Sequence, residues 1–324
     1  MSEQLPTLYK RTTVGKIQEW TIEVADDKYR TISGQQDGKK ITNKWTTCYP
    51  KNVGKANATT AEGQAVNEAI AKHTKKGDAG YRHSISNIDE KKFYTPMLAK
   101  EFKDKNRKAT VMNFLGEGQG DRRSIFSQPK LDGIRCIAMR EGLFTRTGKP
   151  ITAVPHIHEA LEPFFEKYPH ATLDGELYNH KYKDNFNKII HLVRKQNLTP
   201  EHLKESEEMI QYWVYDAPVI GTATVGDKCW TEKDLFSDRT SVLDAQFANL
   251  GLLTLEERGE TQSLVIVETT EVNSREHLDE LYADYVEVGY EGQMIRLNAP
   301  YENKRSPKLL KRKEFVDEEY EILG

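Results

Sequence analysis

The sequence predicts an α+β protein of antiparallel sheets with flanking helices, preceded by a small sheet-plus-helix unit. Two patterns across its 324 residues carry this reading. Short stretches that alternate polar and apolar positions recur along the chain, bounded by Gly and Asp turn residues, as half-buried strands require. Among them lie stretches whose apolar residues repeat every three to four positions behind capping residues, the pattern of helices that bury one face. No internal repeat or low-complexity segment is present, and no stretch approaches 18 apolar residues, so no membrane span is expected.

The first unit is expected over residues 1–81. Residues 7–48 alternate around positions 19–24 and 29–32, with Gly34 and Asp37-Gly38 as turn signals, which predicts a small antiparallel sheet. Behind Thr60, a capping residue, Ala61, Ala65, Val66, Ala69, Ile70 and His73 keep helical spacing up to Lys75-Lys76-Gly77, a basic end followed by glycine. Residues 82–95 are polar and read as a linker.

The larger unit, residues 96–316, alternates strands and helices. A hairpin is expected at 134–139 and 143–147 around Arg140-Glu141-Gly142, then a helix at 156–168 and a strand at 172–178. A helix at 184–194, a strand at 211–216, a helix at 231–250 and a buried strand at 264–268 follow. Leu278, Leu281, Tyr282 and Tyr285 fall on one helical face behind a Ser274 cap. Strands at 293–297 and 309–313 close the unit.

Charge is unevenly spread. The chain holds 47 Lys+Arg against 50 Asp+Glu, yet residues 1–110 carry 21 basic and 13 acidic side chains, a net of +8, which leaves 26 and 37 for the rest. A basic front of this kind suits contact with nucleic acid or another polyanion. The three cysteines, Cys48, Cys136 and Cys229, include no C-x-x-C pair, which argues against a disulfide framework and a zinc site. His156-x-His158 lacks a third ligand at suitable spacing, so no metal site is expected there. The N-terminus has no apolar run of the secretory type, and a cytoplasmic monomer is the expectation.

The informative string is Gln128-Pro129-Lys130-Leu131-Asp132-Gly133-Ile134-Arg135, in which a lysine precedes a tight turn and an arginine-bearing strand. Taken alone it also fits a surface turn with a solvated lysine. Thr145-Arg146-Thr147-Gly148-Lys149, Asp174-Gly175-Glu176, Tyr212-Trp213-Val214-Tyr215-Asp216, Glu291-Gly292-Gln293-Met294-Ile295-Arg296 and Lys308-Leu309-Leu310-Lys311-Arg312-Lys313 follow it, and Pro96-Met97-Leu98-Ala99-Lys100 precedes it. In order and spacing these blocks resemble the nucleotidyltransferase motifs of ATP-dependent DNA ligases.

The resemblance implies ATP as nucleotide, Mg2+ as metal and nicked duplex DNA as partner. Lys130 would attack the α-phosphate of ATP, become lysyl-AMP, and pass AMP to a 5'-phosphate that a 3'-hydroxyl then displaces. Attack requires an unprotonated amine, whereas a lysine of ordinary pKa, about 10.4, is almost wholly charged at neutral pH. Lys311 and Lys313 would point together at the phosphates from one strand face, with Arg312 on the other. Glu176 and Glu291 would hold the metal, Glu176 alternatively the ribose. Tyr215 would stack on adenine, a core aromatic being the other reading, while Gln128 and the backbone of Leu131 would read the adenine edge. Arg135 and Arg146 would take the ribose and the 5'-phosphate, Arg305 sharing the phosphate, and Asp132 would orient the turn.

Residues 1–81 resemble a WGR-like domain through Trp20, the glycine turn, the alanine-rich helix and the run from Lys75-Lys76-Gly77 to Tyr81. Ser33-Gly34-Gln35 stands where Trp-Gly-Arg would be, so DNA binding by this unit rests on charge and fold analogy. Residues 317–324 are expected to open an OB-fold domain that the chain does not continue, and poor self-adenylation and nick sealing are expected without it. The alternatives are an RNA ligase, a GTP-dependent mRNA-capping guanylyltransferase, which shares Lys-x-Asp-Gly, and a DNA-end-binding scaffold with an inactive pocket. The residue 96–100 block and Arg135 favour the ligase.

Overall fold

A computed structural model describes residues 2–12, 14–89, 93–103, 105–115, 124–220, 231–251 and 263–313. The expected OB-fold start at 317–324 lies outside them. The chain divides into two units, Met1–Phe93 and Tyr94–Gly324. No helix among the described residues is long and apolar enough to cross a membrane.

In the first unit, Ile17–Ala25 and Lys28–Gln35 form a hairpin whose turn holds Asp26 at φ 50°, a region that Asp tolerates better than most residues. Glu3–Gln4 and Leu8–Arg11 pair with the first of these strands, Ile41–Thr42 and Thr46–Thr47 with the second, giving a six-stranded antiparallel sheet. The helix Ala61–Asp78 starts at Thr60, whose side chain accepts the Gly63 N–H, and places Ala65 and Ala69 in one core with Trp20, Ile22 and Tyr29. Residues 82–89, read as linker, pack on this unit. Arg82 exchanges two backbone hydrogen bonds with Tyr9, and Arg11 pairs with Asp89 at 2.6 Å.

The second unit contains two sheets. The six-stranded one runs Pro150–Ile151, Gly142–Thr145, Ile134–Met139, Thr172–Tyr178, Gln211–Val219, Leu264–Ile266. The five-stranded one runs Thr270–Val272, Ile125–Lys130, Gly292–Leu297, Arg305–Arg312, Leu98–Glu101. Neither is wholly antiparallel, which corrects the expectation: Leu264–Ile266 joins its neighbour in parallel, as does Leu98–Glu101. Parallel partners need a long crossover, and for Leu98–Glu101 nearly the whole unit supplies it.

Helices cover the six-stranded sheet with a large apolar core that includes Ile157, Phe164, Leu192 and Phe247. The five-stranded sheet shares a smaller one with Val111 and Leu278. The single helix expected at 156–168 is two, Pro155–Ala160 and Glu162–Lys167, because Pro163 has no N–H to continue the ladder. Arg275–Glu287 is capped by Ser274 as its sequence indicates.

Candidate active site

Leu131-Asp132-Gly133 carries the chain from the five-stranded sheet, where Lys130 ends a strand, to the six-stranded sheet, where Ile134 begins one. Gly133 permits this crossing. A Cβ there would meet the Leu177 carbonyl oxygen at 2.4 Å and Glu176 Cγ at 2.8 Å, so any larger residue would push the turn off the neighbouring strand. A cavity of about 280 Å³ lies beside the turn. Gln128, Lys130, Leu131, Arg135 and Arg146 line it, with Glu176, Tyr215, Arg305, Lys311 and Lys313.

Glu291, the remaining residue expected at the site, sits against its lysines. Lys130 Nζ donates to Glu291 Oε2, and Lys313 Nζ donates to Oε1 at 2.6 Å. Burial pushes the Glu291 carboxyl up, but the hydrogen bonds from the two ammonium groups outweigh it and hold the pKa below the usual value. The same bond raises Lys313. Gly292, at φ 148°, makes the approach possible, since a Cβ there would lie 2.2 Å from the Arg312 carbonyl oxygen. Lys311 pairs with Glu101 at 2.9 Å, whereas Arg312 turns away to Asp279 at 2.6 Å and covers the Tyr282 ring. The strand alternation expected of these three residues is present.

The opposite wall is ionic. Arg135 forms a two-pronged pair with Asp174, at 2.9 and 2.5 Å, and Tyr301 Oη donates to Asp174 at 2.6 Å. Asp216 accepts from Arg239 at 2.8 and 3.0 Å and from Arg296 at 2.9 Å. Arg135 and Arg296 both lie over the Tyr215 ring, 5.5 and 5.2 Å from its centre. Cation–π contacts therefore help to set where this ring stands.

The Gln128 amide spends both hydrogens, on the Tyr215 carbonyl at 3.2 Å and Thr269 Oγ1 at 2.8 Å, and accepts from Arg296 at 2.7 Å. Its oxygen keeps a second lone pair, which suits an adenine amine. Arg135, expected at the nucleotide, lines the cavity with Nε and Nη2 on Asp174. Arg146 has no ion-pair partner among the described residues, and Arg305 donates to the Ala99 carbonyl. Met294, Arg296, Leu98 and Ala99 also line the cavity and were not singled out as site residues. Their signal was the motif strings themselves, since Met294 and Arg296 share one strand face with the cavity and Leu98 and Ala99 pair along its edge. His156 and His158 bond to the carbonyls of Ile210 and Arg140.

Glu176 is half-buried beside Gly133. Burial pushes its carboxyl up to about 7, against the opposing pull of Arg135 and Lys130. Asp132 is raised too, by burial and by Glu291. Between the usual 4.5 and about 7 the folded chain holds a Glu176 proton that the unfolded chain releases. Stability from this group therefore falls as pH rises through that window and is level above it. The melting temperature of Glu176→Gln relative to the parent is expected to climb between pH 5 and pH 8 in scanning fluorimetry. A difference that stays flat or shrinks would contradict the burial of this carboxyl.

No group of three His, Cys, Asp or Glu side chains among the described residues could hold a metal by itself. Magnesium asks less, one or two carboxylates with substrate phosphates and water. Glu176 and Glu291, both acting on Lys130, fit that share once Glu291 is released from its lysines.

The profile of the ATP dependent DNA ligase domain matches residues 96–313, the cavity and both sheets that build it. The chain belongs to the ATP-dependent DNA ligase family. The DNA ligase of African swine fever virus (isolate Tick/South Africa/Pretoriuskop Pr4/1996) is 24% identical over 281 residues, covering 83% of this chain and 58% of the viral one. The DNA ligase of Haemophilus influenzae is 26% identical over 196 residues, 60% of each chain. The chain thus spans less than two thirds of the length of these relatives. Among solved structures, Pmar-Lig_PreS3 shares the fold at a TM-score of 0.50 and 20% identity, over 79% of this chain and 53% of that one. Chlorella virus DNA ligase-adenylate aligns at 0.48 and 21%, over 68% and 69%.

Proposed function

We propose that the second unit transfers AMP from ATP to Lys130 and from Lys130 to the 5'-phosphate of nicked duplex DNA. The observation that carries this is one carboxylate, Glu291, shared by Lys130 and Lys313 beside a cavity walled by Tyr215 and lined by Lys311. In this arrangement Lys130 is an ammonium bound to a carboxylate. Phosphate oxygens arriving at Lys311 and Lys313 draw these cations from Glu101 and Glu291, which leaves Glu291 to Lys130 as the carboxylate that accepts its proton. Its nitrogen then forms the N–P bond to the α-phosphate while the P–O bond to pyrophosphate breaks. Magnesium, when bound through Glu176 and Glu291, would neutralise phosphate charge. In this reading Arg146 and Arg305, which line the cavity, take the 5'-phosphate, and Tyr215 stacks on the base.

The first unit we read as WGR-like and as a DNA-contacting module, on its helix-on-sheet architecture and its basic balance. Trp20 is buried at 5% exposure, so in this reading it serves the core and the charged surface makes the contact.

Lys311→Ala and Lys313→Ala are each expected to slow single-turnover adenylation by about 10² to 10³, roughly 2.7–4 kcal/mol, if each loss compares with that of an oxyanion-hole donor. Arg312→Ala should do much less. Labelled ATP in parallel with labelled GTP reads both questions. Equal losses at all three positions, or transfer from GTP instead of ATP, would contradict the assignment.

A further inference from the structure

The first unit brings two cations to one aromatic ring. Lys10, on the Leu8–Arg11 strand, and Lys76, in the last turn of the Ala61–Asp78 helix, come from distant segments of the chain. Both ammonium groups lie over one ring, Tyr81, at 5.6 and 4.9 Å from its centre, and Lys76 lies 5.3 Å over Trp20 as well. His73 and His83 stand beside them, their ring centres 5.5 Å apart and His73 6.2 Å from Trp20.

Four other cations of this unit find carboxylates: Arg11 pairs with Asp89, Arg30 with Glu23, Lys40 with Glu19 and Lys51 with Glu68. Lys10 and Lys76 pair with none among the described residues. Burial first, and the charge of Lys10 second, disfavour the charged form of Lys76. A helix C-terminus does attract cations, and Lys10 Nζ caps the Ala79 carbonyl at 2.6 Å. That accounts for one ammonium. Lys76 donates no hydrogen bond among the described residues; its ring contacts are favourable, but its charge stands against that of Lys10, a cost that a bound anion would offset.

We propose that Lys10 and Lys76 together bind one phosphate group of the duplex DNA backbone. The choice of DNA rests on the function proposed above and on the net +5 of the first unit, residues 1–93, read from 16 basic against 11 acidic side chains. Two ammonium groups held at one ring suit a phosphate, whose oxygens accept from both without demanding the planar geometry of a guanidinium.

The test uses the full chain as Lys10→Gln, as Lys76→Gln, and with both lysines changed to Arg. Affinity for nicked duplex DNA is measured across a salt series, together with melting temperature and self-adenylation. Each Gln variant is expected to bind about fivefold more weakly, with a slope of log K against log salt shallower by less than about 0.9, the share of the one phosphate that the remaining lysine still touches. The double Arg variant should keep both. Lys76→Gln should melt close to the parent temperature, since the lost contacts with the Trp20 and Tyr81 rings offset the relieved repulsion, which separates a lost contact from a damaged fold. Unchanged affinity and slope in both Gln variants would overturn the proposal. So would a loss on single-stranded RNA with none on duplex DNA, or inorganic phosphate titrating the site while DNA affinity ignores the substitutions. Self-adenylation should be equal in every variant. Its absence from the parent would sink the active-site reading and leave the salt measurement standing.

Discussion

Lys130→Ala is expected to abolish AMP attachment while leaving the chain folded. Lys130 is the lysine at the strand end beside the cavity, and Glu291 retains Lys313 as partner when Lys130 is removed. Lys130→Arg is the sharper variant. A guanidinium can keep the ion pair with Glu291, but it does not lose its proton in a protein and cannot supply the nitrogen lone pair. Both variants should therefore show no AMP adduct by intact mass after incubation with ATP and magnesium, with circular dichroism unchanged. An adduct on the Arg variant would move the nucleophile to another residue.

Asp216→Ala carries the largest expected loss of stability. Asp216 is fully buried and accepts from two guanidinium groups whose side chains are 2% and 5% exposed. Burial alone would push its carboxyl up, yet Arg239 and Arg296 hold it below the usual range. Removing it strands two buried positive charges, and breaking a buried pair costs about 3–5 kcal/mol. By contrast Glu68→Ala, at the exposed pair with Lys51, should cost within about 1 kcal/mol. Denaturant titration compares the two. Asp216→Ala should also weaken ATP binding in the folded fraction, since Arg296 holds both Gln128 and the Tyr215 ring. A loss below about 1 kcal/mol would mean that the arginines find other partners.

These two residues differ in how far the sequence exposes them. Lys130 announces itself through its turn, because Asp132-Gly133 is a local signal and Gly133 is required by a close backbone approach. The strand Thr172–Tyr178 and the capped helix Arg275–Glu287 were legible for the same reason, since alternation and a Ser cap are properties of adjacent residues. The placement of Lys311 and Lys313 opposite Arg312 follows from strand periodicity alone. Asp216 is another matter. Nothing local says that it faces Arg239 and Arg296, or that Arg135 is spent on Asp174, since these pairings appear only when the sheets are assembled. The parallel edge strand Leu98–Glu101 is hidden likewise, as its partner lies some two hundred residues away. The helix Pro200–Met209 was missed although Thr199-Pro200 is a legible start, with Thr199 Oγ1 accepting the His202 N–H. The Gln128 amide shows the remaining limit: a side chain can line a cavity and still have its donors committed elsewhere.

The most direct measurement is peptide mapping of the chain after single-turnover incubation with ATP and magnesium, followed by a chase with pyrophosphate. One AMP on the peptide that contains Lys130, removed by pyrophosphate with release of ATP, is the expected result. AMP on any other peptide, or no adduct under saturating ATP while the cavity demonstrably binds the nucleotide, would contradict it.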